Sequence, residues 1–185
     1  MQQFKIKLQG VRPIMFDRYP GDNKSKLSPE EKFYRNEKNQ LVIPVMNIYS
    51  LLGSENGKSA SKQFGRESKK IGAAVLGSTD ISGFDENDFM NIVLTCNGEP
   101  ITFNGFGTEF KVASYVARVK GGVPNPVDRP VYFGTWELDI KVVLHADPIL
   151  KAKGLHNLFE LAGRIGLGTF RPLYGQFKVV SFEEI

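Results

Sequence analysis

Between Phe133 and His145 the chain alternates, placing Trp136, Leu138, Ile140, Val142 and Leu144 on one side and mostly polar residues on the other. A period of two over that length is the signature of a half-buried strand, and this is the longest strand expected. Phe4-Lys5-Ile6-Lys7-Leu8-Gln9 repeats the pattern, with Lys5 and Lys7 on the open face. Two such strands demand a sheet with one wet face and one face covered by apolar side chains. A cover follows in sequence: Leu155, Leu158, Phe159 and Ala162 recur at helical spacing, behind Asp147 and Pro148 as a helix cap.

The remaining segments fill in an order. Ile14-Met15-Phe16 continues the first strand after a kink at Gly10 to Pro13, and Ser28-Pro29-Glu30-Glu31 opens a short helix ending near Arg35. Leu41 to Pro44 reads as a strand, Val45 to Leu52 as a buried helix stopped by Gly53, and Ser59 to about Lys70 as a second helix. Ala73 to Ile81 is a buried strand or a helix–strand junction. Asn91 to Thr95 and Ile101 to Phe103 flank Cys96-Asn97-Gly98-Glu99-Pro100, which predicts a hairpin. Lys111 to Lys120 is strand-like. Gly121 to Pro130, with three prolines and two glycines, reads as a long surface loop, and Phe177 to Phe182 as a closing strand. Strand, helices, several strands, helix, strand describes an α+β fold with an antiparallel sheet, one domain over 1–185.

Composition narrows the setting. Hydrophobic residues make up 41% of 185, enough for a core, and the formal charge of +4 is modest. One cysteine, Cys96, excludes an internal disulfide framework and fits a reducing compartment. There is no signal-peptide pattern after Met1 and no apolar run near the roughly 18 residues a membrane span needs, so a soluble cytoplasmic protein with no membrane partner is expected.

Three features carry chemistry. Gly163, Gly166, Gly168 and Gly175 are spaced G-x-x-G-x-G-x6-G, with Arg164 and Arg171 among them. Backbone amides in such a loop can cradle an anion, and guanidinium forks suit phosphate. The spacing fits neither the dinucleotide nor the P-loop fingerprint, and a helix C-cap followed by a tight turn accounts for part of it. Second, Lys58, Lys62, Arg66, Lys69 and Lys70 face only Glu67 in the same stretch; on a helix, Lys62, Arg66 and Lys69 or Lys70 share a face. That face is either ordinary solvated surface or a phosphate track that releases counterions. Third, aromatic and basic residues interleave: Tyr115, Arg118 and Lys120; Arg129, Tyr132 and Phe133; Phe170, Arg171 and Tyr174. Unpaired bases stack on aromatic rings while cations hold the backbone. Phe133 and Phe170 read as core, Tyr174 as exposed.

Catalytic patterns are sparse. His145 and His156 are the two histidines, and no H-E-x-x-H, C-x-x-C or H-x-E spacing occurs, so no metal site and no cofactor are expected. Asp85, Glu86 and Asp88 read as a solvated turn.

Several pieces resemble the RAMP superfamily of CRISPR-associated proteins. They are Gly10-Val11-Arg12-Pro13-Ile14-Met15 after the first strand, Leu41-Val42-Ile43-Pro44 before a helix and basic residues, and Ala162-Gly163-Arg164-Ile165-Gly166-Leu167-Gly168 with Arg171-Pro172 and Gly175 before the last strand. Within it the chain is most similar to the subunits that coat guide RNA, and it also resembles short phage and prophage proteins with the same ending. The resemblance implies a ferredoxin-like (RRM-like) antiparallel sheet with helices on one face and loop or hairpin insertions. It also implies head-to-tail homo-oligomers along a strand, and a thumb-like insertion at 105–130. Lys58, Lys62 and Arg66 would hold phosphates, and Gly166, Gly168 and Arg171 would lie against the nucleic acid. The chain is shorter than typical members.

Together these readings predict a non-catalytic protein that binds a single strand, RNA in preference to DNA. It would act in a bacterial or phage-infected cell, with other effector-complex or phage proteins as further partners. Lys69, Lys70, Arg118, Lys120, Arg129 and Arg164 complete the expected cationic contacts, and Tyr115 and Tyr174 the stacking ones. Two alternatives stand beside it: a metal-independent endoribonuclease using a histidine, and a phage structural or inhibitory protein acting through protein contacts.

Overall fold

A computed structural model of the chain describes residues 1–22, 24–117 and 125–185. The two alternating segments lie side by side at the centre of the main sheet. β1 (Gln2–Gly10) pairs antiparallel with β10 (Glu137–Leu144), Phe4 opposite Val142 and Leu8 opposite Leu138. That register puts Phe4, Ile6 and Leu8 on the same face as Leu138, Ile140, Val142 and Leu144, all of them buried. β11 (Phe177–Glu184) flanks β1, and β4 (Thr79–Ser82) flanks β10, both antiparallel. The order across the sheet is therefore β11-β1-β10-β4, and at the other end of β10 Glu137 pairs with Thr95, which joins the hairpin over 95–100 to the same sheet.

The covered face is closed by α1 (Val45–Gly53), α2 (Ser68–Ser78) and α3 (Ala152–Ile165). Ile48, Leu51 and Leu52, Ala74 and Val75, and Leu155, Leu158, Phe159 and Ala162 join the strand residues in one core. The other face carries polar pairs such as Lys7 with Glu137, 3.0 Å apart. Ala73 to Ile81 resolves as a helix–strand junction, since α2 runs directly into β4.

Two smaller sheets complete the fold. β3 (Val42–Pro44) pairs with β5 (Asn91–Val93). β6 (Thr95–Cys96) and β7 (Glu99–Pro100) form the expected hairpin around Asn97 and Gly98, both at positive φ as a two-residue turn requires. β2 (Ile14–Met15), β9 (Asn125–Tyr132) and β8 (Phe110–Ala117) make a separate three-stranded sheet.

Several expectations are corrected here. Ile14 and Met15 do not prolong β1; they cross to β9, opposite Tyr132 and Val131. The proline-rich loop over 121–130 is, from residue 125 onward, a strand. Phe133 N–H donates to Glu109 O, so Phe110 and Tyr132 are a non-hydrogen-bonded pair. Counting back by twos, Pro130 and Pro126 turn their nitrogens away from β8, where the ladder needs no donor. The strand expected from Phe133 onward, β10, begins only at Glu137, and Tyr132 Oη donates to Thr135 O across the bend before it. Pro29–Lys32 is only a 3-10 turn. Asp147 does not cap α3; it accepts the amides of Ile149 and Leu150 in a turn ahead of it. Its carboxyl is held below the usual range, first by the Ser78 hydroxyl and then by those amides.

The basic helix is broken. Residues Ala60–Glu67 form a 3-10 segment, and Gly65 within it sits at φ 57 and ψ −119, outside any helix. Lys62 and Arg66 therefore do not continue the face that Lys69 and Lys70 present on α2.

Candidate functional site

The glycine segment folds back onto the chain itself. Thr169 N–H donates to Met15 O, Gly175 N–H to Pro13 O, Leu167 N–H to Gly175 O, and Gly166 N–H to Ala162 O. Gly166, Gly168 and Gly175 all have positive φ, and a Cβ on Gly168 would stand 2.2 Å from Met15 O. These amides are engaged within the protein, which corrects the expectation of an anion cradle built from them. Close backbone approach is indeed what the glycines permit, but what approaches Gly166 and Gly168 is the chain's own backbone. Gly166 is also the C-cap of α3.

What the segment presents outward is side chains. Phe170 is 42% exposed and Phe133 44%, against the expectation of core positions. Tyr174, expected to be exposed, is half-buried. Its hydroxyl lies 2.5 Å from that of Tyr115 on β8. Burial, and then that bond, push the Tyr174 phenol up to about 12. Phe170 stacks on Tyr115 with centroids 4.5 Å apart and planes 25° apart. The loop and the β8–β9 hairpin are thus joined by three rings. Arg171 is half-buried and donates from Nη1 to Gly166 O at 3.3 Å; burial lowers its pKa.

The cations gather around the 3-10 segment. Lys58 and Gln63 on one side meet Leu161, Arg164, Ile165 and Pro172 on the other, lining a hollow of about 230 Å³. Among the described residues its charged lining is Lys58 and Arg164, which come from distant parts of the chain. A second hollow, of about 220 Å³, is lined by Lys62 and Lys69 with Ser54, Glu55, Ser61 and Ser68. Arg66 is exposed, as is Lys70, which lies 3.7 Å from Glu67. No ion pair among the described residues engages Lys58, Arg66, Lys69 or Arg164.

Other expected site residues lie elsewhere. Arg129 is 2.9 Å from Asp17, a carboxylate that Lys32 also approaches to 3.9 Å, so Arg129 is held in an ion pair away from the two hollows. Arg118 and Lys120 lie outside the described residues, as do the other residues over 118–124 of the expected thumb-like insertion. His145 contacts Asp80 at 2.7 Å, and His156 stacks on Phe182 at 4.6 Å; neither lines the basic hollows. Asp85 and Asp88 accept amides of Asn87, Met90 and Asn91, as turn residues do. Among the described residues no group of acidic, histidine or cysteine side chains is arranged to hold a metal, and no helix is long and apolar enough to cross a membrane.

Sequence reasoning read Phe170 as core, and it did not place Gln63, Leu161 or Pro172 among the site residues. For Phe170 a signal existed: it sits between Gly168 and Arg171-Pro172, off both the helical stripe of α3 and the alternation of β11.

No family model and no curated protein matches the chain. Its fold is similar to that of a chain in the cryo-EM structure of Type III-B Cmr-beta bound to cognate target RNA, with a TM-score of 0.63 and 12% identity. All of this chain is covered in that comparison, and it spans 60% of the other chain's length. At that identity the likeness is one of fold.

Proposed function

We propose that this chain is a RAMP-like protein on a ferredoxin-like (RRM-like) core and that it binds single-stranded RNA without cleaving it. The path β1, α1 and α2, β4, β10, α3, β11, with sheet order β11-β1-β10-β4, supports that core. The fold it shares with a chain of an RNA-bound Cmr-beta structure supports the choice of ligand. The observation that carries the reading is the hollow that Lys58 and Arg164 both line, with no carboxylate among its described lining residues. A phosphate there is met by an ammonium and a guanidinium together, each displacing condensed counterions. The Lys62–Lys69 hollow, lined by Ser68, offers the next contact along the same 3-10 segment. Arg66, Lys70 and Arg171 border this track.

The test is anisotropy with a labelled oligoribonucleotide across a salt series. Each phosphate contact on a single strand contributes about 0.7 to the slope of log affinity against log salt. Lys58→Ala with Arg164→Ala is expected to weaken binding and flatten that slope by about 1.4, two contacts' worth. An unchanged slope overturns the reading. Copies are proposed to add head-to-tail along the strand; size exclusion with and without nuclease reads whether assembly depends on RNA.

A further inference from the structure

We propose that Tyr115 and Phe170 form a self-closed stacking site that admits one unpaired nucleobase, with Phe170 as the primary ring. The inference rests on the RNA-binding reading above and names a base site beside its phosphate track.

Phe170 has two properties that core packing does not explain. It is 42% exposed, and it holds φ at 54, a conformation that a bulky side chain rarely adopts. Such a backbone persists only where surrounding structure imposes it, and such positions cluster at ligand sites. What the conformation achieves is orientation: the ring lies nearly parallel to Tyr115, 4.5 Å away. Tyr115 is itself held by the Tyr174 hydroxyl, and the Tyr174 ring stands edge-on to it at 6.1 Å.

The two stacked rings belong to different elements, the glycine segment and β8. Separating them to about 7 Å, two ring-contact distances, admits a third aromatic plane. Every base offers a π face, so the site takes bases without reading their edges.

Placement ties the rings to the phosphate track. Pro172 lines the Lys58–Arg164 hollow, two residues along from Phe170. A strand lying there has its phosphate on one side of residues 170–172 and its base on the other.

The experiment compares wild type, Phe170→Leu and Phe170→Trp on a labelled oligoadenylate and on an abasic oligoribonucleotide of equal length. The abasic strand keeps every phosphate and lacks the bases. Phe170→Leu is expected to weaken oligoadenylate binding about fivefold or more, the range that loss of one base–aromatic stack covers. The abasic strand is expected to bind wild type and Phe170→Leu equally, and Phe170→Trp to retain oligoadenylate affinity. Equal affinity of wild type and Phe170→Leu for oligoadenylate overturns the proposal. So does an equal loss on both strands, which identifies the rings as a structural clasp. Should Phe170→Leu melt below wild type, Phe170→Trp carries the test, and loss of oligoadenylate affinity in it overturns the proposal. Failure of wild type to bind either strand overturns the parent reading; salt-sensitive binding indifferent to residue 170 overturns this one alone.

Discussion

Gly175→Ala is a severe test of how the glycine segment is held. Gly175 has φ 81, and a Cβ there would stand 1.8 Å from Leu167 O and 2.9 Å from Leu167 N. Gly57 makes the matched control, because its φ is 76 and an added Cβ meets nothing within 4 Å. Both substitutions incur the left-handed backbone cost of about 1–2 kcal/mol. Only Gly175→Ala must also push two chain segments apart. Doing so breaks Leu167 N–H to Gly175 O at 2.9 Å and strains Gly175 N–H to Pro13 O at 2.7 Å, about 1 kcal/mol each. Leu167, only 2% exposed, loosens with them, and full exposure of such a side chain costs about 1.5–3 kcal/mol. The extra loss for Gly175→Ala over Gly57→Ala is therefore about 2–4 kcal/mol. In a chain of this size that separates the melting temperatures by on the order of 10 °C. Thermal and urea unfolding followed by circular dichroism measure the gap. Equal stability of the two variants refutes the claim that the segment is locked against its own backbone.

Two further outcomes follow from the contacts. Asp17→Ala removes the carboxylate that Arg129 and Lys32 share and is expected to destabilise by about 1.5–3 kcal/mol, the worth of a hydrogen bond to a charged group; urea denaturation reads it, and unchanged stability refutes a structural role for that ion pair. Tyr174 is raised to about 12, so its neutral form is favoured by the fold; that contribution is fully present below the ordinary phenol value near 10 and is lost as pH climbs through about 12. In Tyr115→Phe, which leaves five of the six tyrosines, the Tyr174 phenol is expected to ionise earlier in an ultraviolet phenolate titration normalised to the remaining tyrosines, and an unmoved high-pH step refutes the hydroxyl pairing.

Much of the scaffold was legible because it obeys a period. The alternation in β1 and β10 and the stripe in α3 are local consequences of burying one face, and each buried residue predicted there is in the core. The β9 strand was not legible. Prolines argue against a strand until one knows which of its residues bond to β8, and pairing register is a property of two segments, not one. The basic cluster was readable as composition but not as geometry. A glycine inside a helical pattern is often tolerated, and nothing local says that Gly65 turns to φ 57.

The candidate site divides the same way. Lys58, Lys62, Lys69 and Arg164 were identifiable as cations near glycine and serine, and the fold gathers them about one 3-10 segment. Arg129 looked equivalent, but Asp17, from far along the chain, engages it in an ion pair. The glycines promised amides for a ligand, and contacts with Pro13 and Met15 use those amides instead. By itself the sequence determined the class of fold, the core faces and the excess of positive charge, because periodicity and composition are carried residue by residue. The tertiary structure alone decided which cations remain unpaired, which rings reach solvent and which amides are already bonded. Each of those depends on what a distant segment brings alongside.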